Sequence, residues 1–137
     1  MTQVREPMLK LPKCRLGLCS EDEPELIDAF ETAGVIVSIS NFDKILLREC
    51  VIPLDDAPPE LLYILASTRA WPDIRIMIED NIYDLPYLFS FKDVFIGDIL
   101  HLIIDYVVGE GQSRRIFSKF TLPKPKEGKW GKVREHC

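Results

Sequence analysis

Residues 73–79 carry the pattern that most restricts how this chain can fold. Ile74, Ile76 and Ile78 alternate there with polar or flexible neighbours. Successive side chains of a strand point to opposite faces of a sheet, so a period of two predicts a strand with one buried face. A slip of one residue would turn all three isoleucines to water, and we therefore expect a firmly fixed register.

Residues 98–108 have the period of a helix. The apolar residues that recur at helical spacing and cover one broad side are Ile99, Leu100, Ile103, Ile104, Val107 and Val108. Asp98 is placed to cap the start of this helix and Gly109 to end it. The strand and the helix each need cover for an apolar side. We therefore predict an α+β fold: an antiparallel sheet of four to five strands with two or more packed helices, as a single pair of layers.

Other segments have weaker signals. A first helix is predicted at about residues 23–33, where Asp22 and Glu25 have the spacing of a capping box and Gly34 supplies the stop. Further strands are predicted at residues 15–19, 35–40, 60–67, 87–91 and 115–122. Residues 44–52 fit either a short helix or a strand, and residues 53–59 and 80–86 are predicted connections.

Length and composition indicate one folded domain. The chain has 137 residues, of which 47% are hydrophobic and 28% charged. We expect an extended N-terminal arm at residues 1–12, a single domain at 13–122 and a basic tail at 123–137. No targeting segment or membrane span is visible, so a cytoplasmic location without membrane contact is expected.

The charge distribution and the cysteine spacing limit the kinds of partner, metal and cofactor that this chain is expected to bind. The net charge of −5 combines eight basic and two acidic residues from residue 111 onward with an acidic remainder of −11. An acidic body with a basic tail can associate with itself or hold an anionic partner. Cys14, Cys19, Cys50 and Cys137 lack the paired spacing of a zinc site or a disulfide framework, so we expect no metal and no cofactor.

Residues 58–108 carry a composite pattern. It consists of Pro58-Pro59, the apolar run Leu61–Leu65, Trp71-Pro72, the alternating Ile74–Ile78, and Val94–Ile103 in the form V-x-I-x-D-I-L-x-x-I. In these residues the chain resembles an uncharacterised domain family of mushroom-forming fungi. The resemblance implies an order of strand, strand and helix, and it implies no activity.

Asp98, His101 and Asp105 are the main candidates for chemistry. Their spacing of i, i+3 and i+7 puts them on one side of the predicted helix. A carboxylate can orient a histidine for proton transfer, and oxygen and nitrogen ligands one turn apart can hold a divalent cation. We favour a capping aspartate on a solvated helix face, because no second ligand motif occurs. The segment Gly109–Gln112 is not interpreted as a phosphate loop, because it follows a helix instead of preceding one.

Four further residues are candidates for ligand binding: Trp71, Trp130, Arg114 and Arg115. Trp130 and the basic tail can stack on a base and contact phosphates, although the acidic body would repel nucleic acid. Trp71 fits a core or rim position better than a ligand platform. The leading hypothesis is a non-catalytic binding or self-association module, with a protein partner or a homodimer. The alternatives are a small hydrolase-like enzyme using His101 with Asp98 or Asp105, and binding of nucleic acid or another anionic partner through the tail.

Overall fold

The computed structural model of the chain describes residues 6–90 and 94–120. The strands in this part are β1 Met8–Leu11, β2 Cys14–Cys19, β3 Val37–Ile39, β4 Lys44–Leu47, β5 Cys50–Pro53, β6 Arg75–Ile78 and β7 Asn81–Asp84. The helices are α1 Pro24–Thr32, α2 Pro59–Ala66, α3 Leu85–Ser90, α4 Gly97–Val108 and α5 Gln112–Phe120, with short 3₁₀ turns at Leu54–Asp56 and Trp71–Asp73. The α+β class is confirmed.

The strands form two antiparallel sheets where a single sheet was predicted. One sheet has the order β5-β1-β6-β7 and the other the order β2-β4-β3. Leu11 pairs with Cys50 in the first sheet and Cys14 with Leu47 in the second. The two pairings share one register, so they belong to one long ribbon that is interrupted at residues 12–13 and 48–49. Pro12 has no N–H to donate to a ladder, which explains why the ribbon breaks there.

The residues predicted as an N-terminal arm include β1. This strand lies between β5 and β6, and its Leu9 and Leu11 side chains are fully buried. Residues 1–5 and the predicted tail at 123–137 lie outside the described residues. Residues 44–52, which fit either a helix or a strand in the sequence analysis, contain the two strands β4 and β5.

The alternating isoleucines form the predicted strand. Ile74, Ile76 and Ile78 are all buried, and Ile76 pairs with Leu9 of β1 on one side and Tyr83 of β7 on the other. The predicted connection at residues 80–86 instead contains β7, which follows β6 through a tight turn where Glu79 has a φ of +57°. The edge strand β7 was therefore not predicted from the sequence.

Three predicted strands are wrong because they are helices. Residues 60–67 form α2, residues 87–91 overlap α3, and residues 115–122 overlap α5. In α2, four apolar side chains are buried on several sides (Leu61, Leu62, Ile64 and Leu65). Periodicity cannot separate a buried helix from a buried strand in so short an apolar run. The strand–strand–helix order implied by the resemblance is likewise not observed, because α2 precedes β6.

The first predicted helix is confirmed as α1, but its capping box does not form. The N-cap residue is Glu23, and no side chain caps the helix start. Gly34 ends the helix as predicted, with a φ of +98°. All buried apolar residues of both sheets and of the helices join one hydrophobic core.

We expect Gly34→Ala to lower the free energy of unfolding by about 1–2 kcal/mol, because an L side chain is strained at positive φ. The added Cβ would also lie 3.4 Å from Ile52 Cγ2. The matched control is Gly97→Ala, since no atom lies within 4 Å of its new Cβ and its φ is not positive. Urea unfolding measures both variants, and equal stability of the two would contradict the strain at Gly34.

Candidate functional site

A hydrogen-bonded cluster connects α4 to the start of α5. His101 Nδ1 lies 2.8 Å from Ser113 Oγ, and the Ser113 backbone N–H donates to Asp105 Oδ1 over 2.8 Å. The intervening segment turns on Gly109 and Gly111, whose φ values of +139° and +81° favour glycine. The chain thus reverses within three residues and brings α5 against the side of α4 that carries His101 and Asp105. We call His101, Asp105 and Ser113 the α4–α5 cluster.

The Asp105 carboxylate caps the start of α5. Burial raises the pKa of Asp105, but hydrogen bonds from the Ser113 side chain, the Ser113 backbone and the Gly111 backbone, together with the His101 charge, lower it. The net pKa lies below the ordinary value of an aspartate. An ionised Asp105 therefore satisfies N–H groups that a helix start leaves without an intrahelical partner, and its charge suits the positive end of the helix dipole.

The same hydrogen bonds oppose a nucleophilic role for Ser113. A catalytic serine needs an accessible hydroxyl with a base to take its proton, and free N–H donors for the developing oxyanion. Ser113 is only 2% exposed, and its hydroxyl donates to Asp105 while its oxygen faces His101 Nδ1. The Gly111 and Ser113 N–H groups already donate to Asp105. The geometry is that of a structural link between two helices.

The segment between α4 and α5 lies in front of a helix, contrary to the prediction from the sequence. Gly109–Gln112 follows α4, as predicted, but it also precedes α5. A glycine-rich turn in front of a helix is the usual setting for phosphate binding. Here the carboxylate of Asp105 occupies the position that a phosphate would take at the start of α5.

Asp98 does not join the α4–α5 cluster. It is exposed in the first turn of α4, and the N-cap residue is Ile96 with no side-chain cap, so the predicted cap by Asp98 is wrong. Asp98, His101, Leu102, Asp105, Gly111, Ser113 and Arg114 line an open groove of about 620 Å³. No group of three or more histidine, cysteine or acidic side chains within residues 6–90 and 94–120 is arranged to hold a metal ion.

The other candidate residues have varied surroundings. Arg115 forms an ion pair with Asp55, at 2.8 Å between Nη2 and Oδ2, and so ties α5 to the 3₁₀ turn at Leu54–Asp56. Arg114 is exposed at the rim of the groove. Trp130 lies outside the described residues.

Trp71 is part of an aromatic cluster. Its ring centroid lies 6.2 Å from that of Phe89, which in turn packs edge-on against Phe117 at 4.9 Å. The His101 ring centroid lies 5.0 Å from that of Phe117. Trp71 is half-buried against the core, which confirms the core or rim position predicted for it.

An exposed apolar surface on α4 and on the three residues before it was not predicted from the sequence. This surface, which we call the outer apolar surface, consists of Val94, Phe95, Ile96, Ile99, Leu102, Tyr106 and Val107. Tyr106 is 93% exposed and Leu102 is 70% exposed. The buried side of α4 is narrower than predicted, since Leu100, Ile104 and Val108 are buried whereas Ile99 and Val107 are not. A helix that is apolar on nearly all sides is expected to contact a second partner besides the core, and this pattern is present in the sequence of α4.

Comparisons with known proteins give no match among protein-family models, curated proteins or solved structures. None of the described helices is long and apolar enough to cross a membrane.

Proposed function

We propose that this protein is a non-catalytic self-association module that forms a homodimer through the outer apolar surface of α4. The observation that carries the proposal is the concentration of exposed large apolar side chains in residues 94–107. Monomeric proteins rarely expose a contiguous apolar patch above a few hundred Å², and larger patches mark interaction sites.

The size of the surface supports a second copy as its occupant. Its seven side chains expose on the order of 700 Å², taking about 150–250 Å² for a fully exposed aromatic side chain and somewhat less for an aliphatic one. A stable interface buries roughly 800 Å² on each partner. The surface is therefore large enough to form most of one side of a dimer interface.

The chemistry of the surface also favours a two-fold contact. A homodimer with two-fold symmetry places the same patch of each protomer against itself. An apolar patch is complementary to its own copy, whereas a charged patch would repel it. On α4 the charged residues Asp98 and Asp105 line the groove together with Leu102, which belongs to both the groove and the outer apolar surface. Leu102 and Tyr106 are the most exposed apolar side chains of the helix.

The free cysteines fit a cytoplasmic location for this module. Cys19 and Cys50 are not in a disulfide, and reducing compartments keep thiols in this state. The hydrolase alternative has less support, because Ser113 is buried and the N–H groups near it are engaged by Asp105.

The test measures the oligomeric state of the Leu102→Glu and Tyr106→Glu variants by sedimentation velocity over a concentration series. We expect a concentration-dependent dimer for the unmodified chain and a dissociation constant at least about 30-fold higher for each variant, which corresponds to about 2 kcal/mol at a central contact. Ile82→Glu is the matched control, since Ile82 is 50% exposed on the edge strand β7, outside the outer apolar surface. Its dimer should persist.

A monomer at about 100 µM, or a dimer that tolerates both glutamates, would overturn the proposal. Because Leu102 and Tyr106 project mostly into solvent, these variants should keep the unfolding temperature of the isolated protomer. A loss of folding in both would instead show that the surface is covered within one chain.

A further inference from the structure

A second exposed apolar surface lies at the turn between β3 and β4, far along the chain from the outer apolar surface. Phe42, at the tip of this hairpin, is 82% exposed, and Ile39, at the end of β3 nearest the turn, is 47% exposed. The turn is held by Ser40, whose hydroxyl accepts from the backbone N–H of Lys44 at 3.2 Å. We call Ile39 and Phe42 the hairpin surface.

Acidic residues flank the hairpin surface. Residues 16–43 contain seven acidic side chains and no lysine or arginine: Glu21, Asp22, Glu23, Glu25, Asp28, Glu31 and Asp43. The Ser20 N–H donates to the Asp43 carbonyl over 2.7 Å, which places the turn before α1 directly against the hairpin turn. Two cations lie on the β4 side, namely the half-buried Lys44 and Arg48, whose Nε donates to Ser38. The flank formed by α1 carries only negative charge.

We infer that the hairpin surface and its acidic flank bind residues 121–137 of the same chain. These residues lie outside the described part of the structure, and we choose them because of the charge and the apolar content of their sequence. They contain five basic and two acidic residues, for a net charge of +3. Trp130 and Val133 stand among the lysines as apolar side chains that can cover Phe42. The segment thus offers apolar side chains for the hairpin surface and positive charge for its acidic flank.

The length of the segment allows this contact. Its seventeen residues can span up to about 55 Å when extended, at about 3.3 Å per residue. A folded domain of this size has a radius of gyration of only about 14 Å, so the segment can reach any point on it from the end of α5. Tethering holds such a segment at an effective concentration in the millimolar range, which makes even a weak contact populated. Opposite charges across the contact add attraction that salt screens.

The test replaces Phe42 in the full chain by the photoreactive analogue p-benzoylphenylalanine, followed by irradiation and peptide mapping. We expect crosslinks from position 42 to residues 121–137 within a single chain. The yield should fall at least about fivefold in 1 M salt, where the screening length is about 3 Å. A variant with Lys124, Lys126, Lys129 and Lys132 changed to Gln should show a similar loss. The same analogue at position 82 is the control, because Ile82 is exposed on β7 of the other sheet.

Three results would overturn the inference: no crosslink to residues 121–137, an equal yield from position 82, or crosslinks that join two chains. The experiment is repeated with the Leu102→Glu variant. The contact at position 42 should survive there, because it uses none of the outer apolar surface. Failure of the homodimer and failure of this intramolecular contact are thereby separated.

Discussion

Replacement of Ile76 by Ala is expected to lower the free energy of unfolding by about 3–4 kcal/mol. Ile76 is fully buried in β6, between Leu9 of β1 and Tyr83 of β7, at the centre of the four-stranded sheet. The truncation removes three carbons from a close-packed interior and leaves a cavity that the sheet cannot fill, because backbone pairing holds both neighbouring strands in place. Urea denaturation measures the effect as a lower midpoint with an unchanged slope.

Ile82→Ala is the matched control for this variant. It removes the same atoms from the neighbouring strand β7, but Ile82 is half-exposed at the sheet edge. Its cost should stay below about 1 kcal/mol, in line with the smaller loss of buried apolar area. If the two variants were equally stable, the register that buries the isoleucines of β6 would be wrong.

Asp105→Ala is expected to lower the free energy of unfolding by about 1–2 kcal/mol, because the start of α5 loses its carboxylate cap. The loss leaves the backbone N–H groups of Gly111 and Ser113 without that acceptor. Asp98→Ala is the control on the same helix. Asp98 is exposed and has no side-chain cap bond, so its removal should cost about 0.5 kcal/mol or less.

The pH dependence of Asp105 has a definite sign. Its pKa is lower in the folded protein than its ordinary value. The folded state then binds the proton less tightly than the unfolded chain, so the stabilisation is complete above the ordinary aspartate pKa of about 4. It is lost as the pH falls through the lower, folded pKa. The stability difference between the unmodified chain and Asp105→Asn should therefore be constant near neutral pH and shrink in acid. A difference that grows in acid would contradict the assignment.

The candidate site could be predicted from the sequence only in part. The spacing of His101 and Asp105 correctly put them on one side of α4, because helical geometry alone decides that relation. Ser113 was not foreseen as their partner. Ser113 was assigned to the connection before the strand predicted at residues 115–122, whereas it lies in the first turn of α5. The buried positions Ile116 and Phe117, four residues after Gln112 and Ser113, fit a helical period that the sequence did contain.

The exposed apolar surface of α4 could not be predicted from the sequence for a different reason. Ile99 and Val107 were assigned to the side of α4 facing the core, and Leu102 and Tyr106 were assigned to no contact, since a sequence does not state how many neighbours a helix will have. The tertiary structure gives α4 mainly one partner, α5. The remaining apolar side chains of the helix are therefore left at the surface, and that placement is what supports the proposed homodimer.

The sequence by itself determined the elements whose pattern is local. The period of two in β6 and the periods of α1 and α4 each divide one element into a buried and a less buried side, and neighbours along the chain suffice to define them. Only the tertiary structure decided that α2 is a helix, that β1 lies within a sheet, and that the ribbon of β1, β2, β4 and β5 is divided between two sheets. The reason is physical: short apolar runs can be buried in either conformation, and the choice depends on contacts with residues distant in sequence.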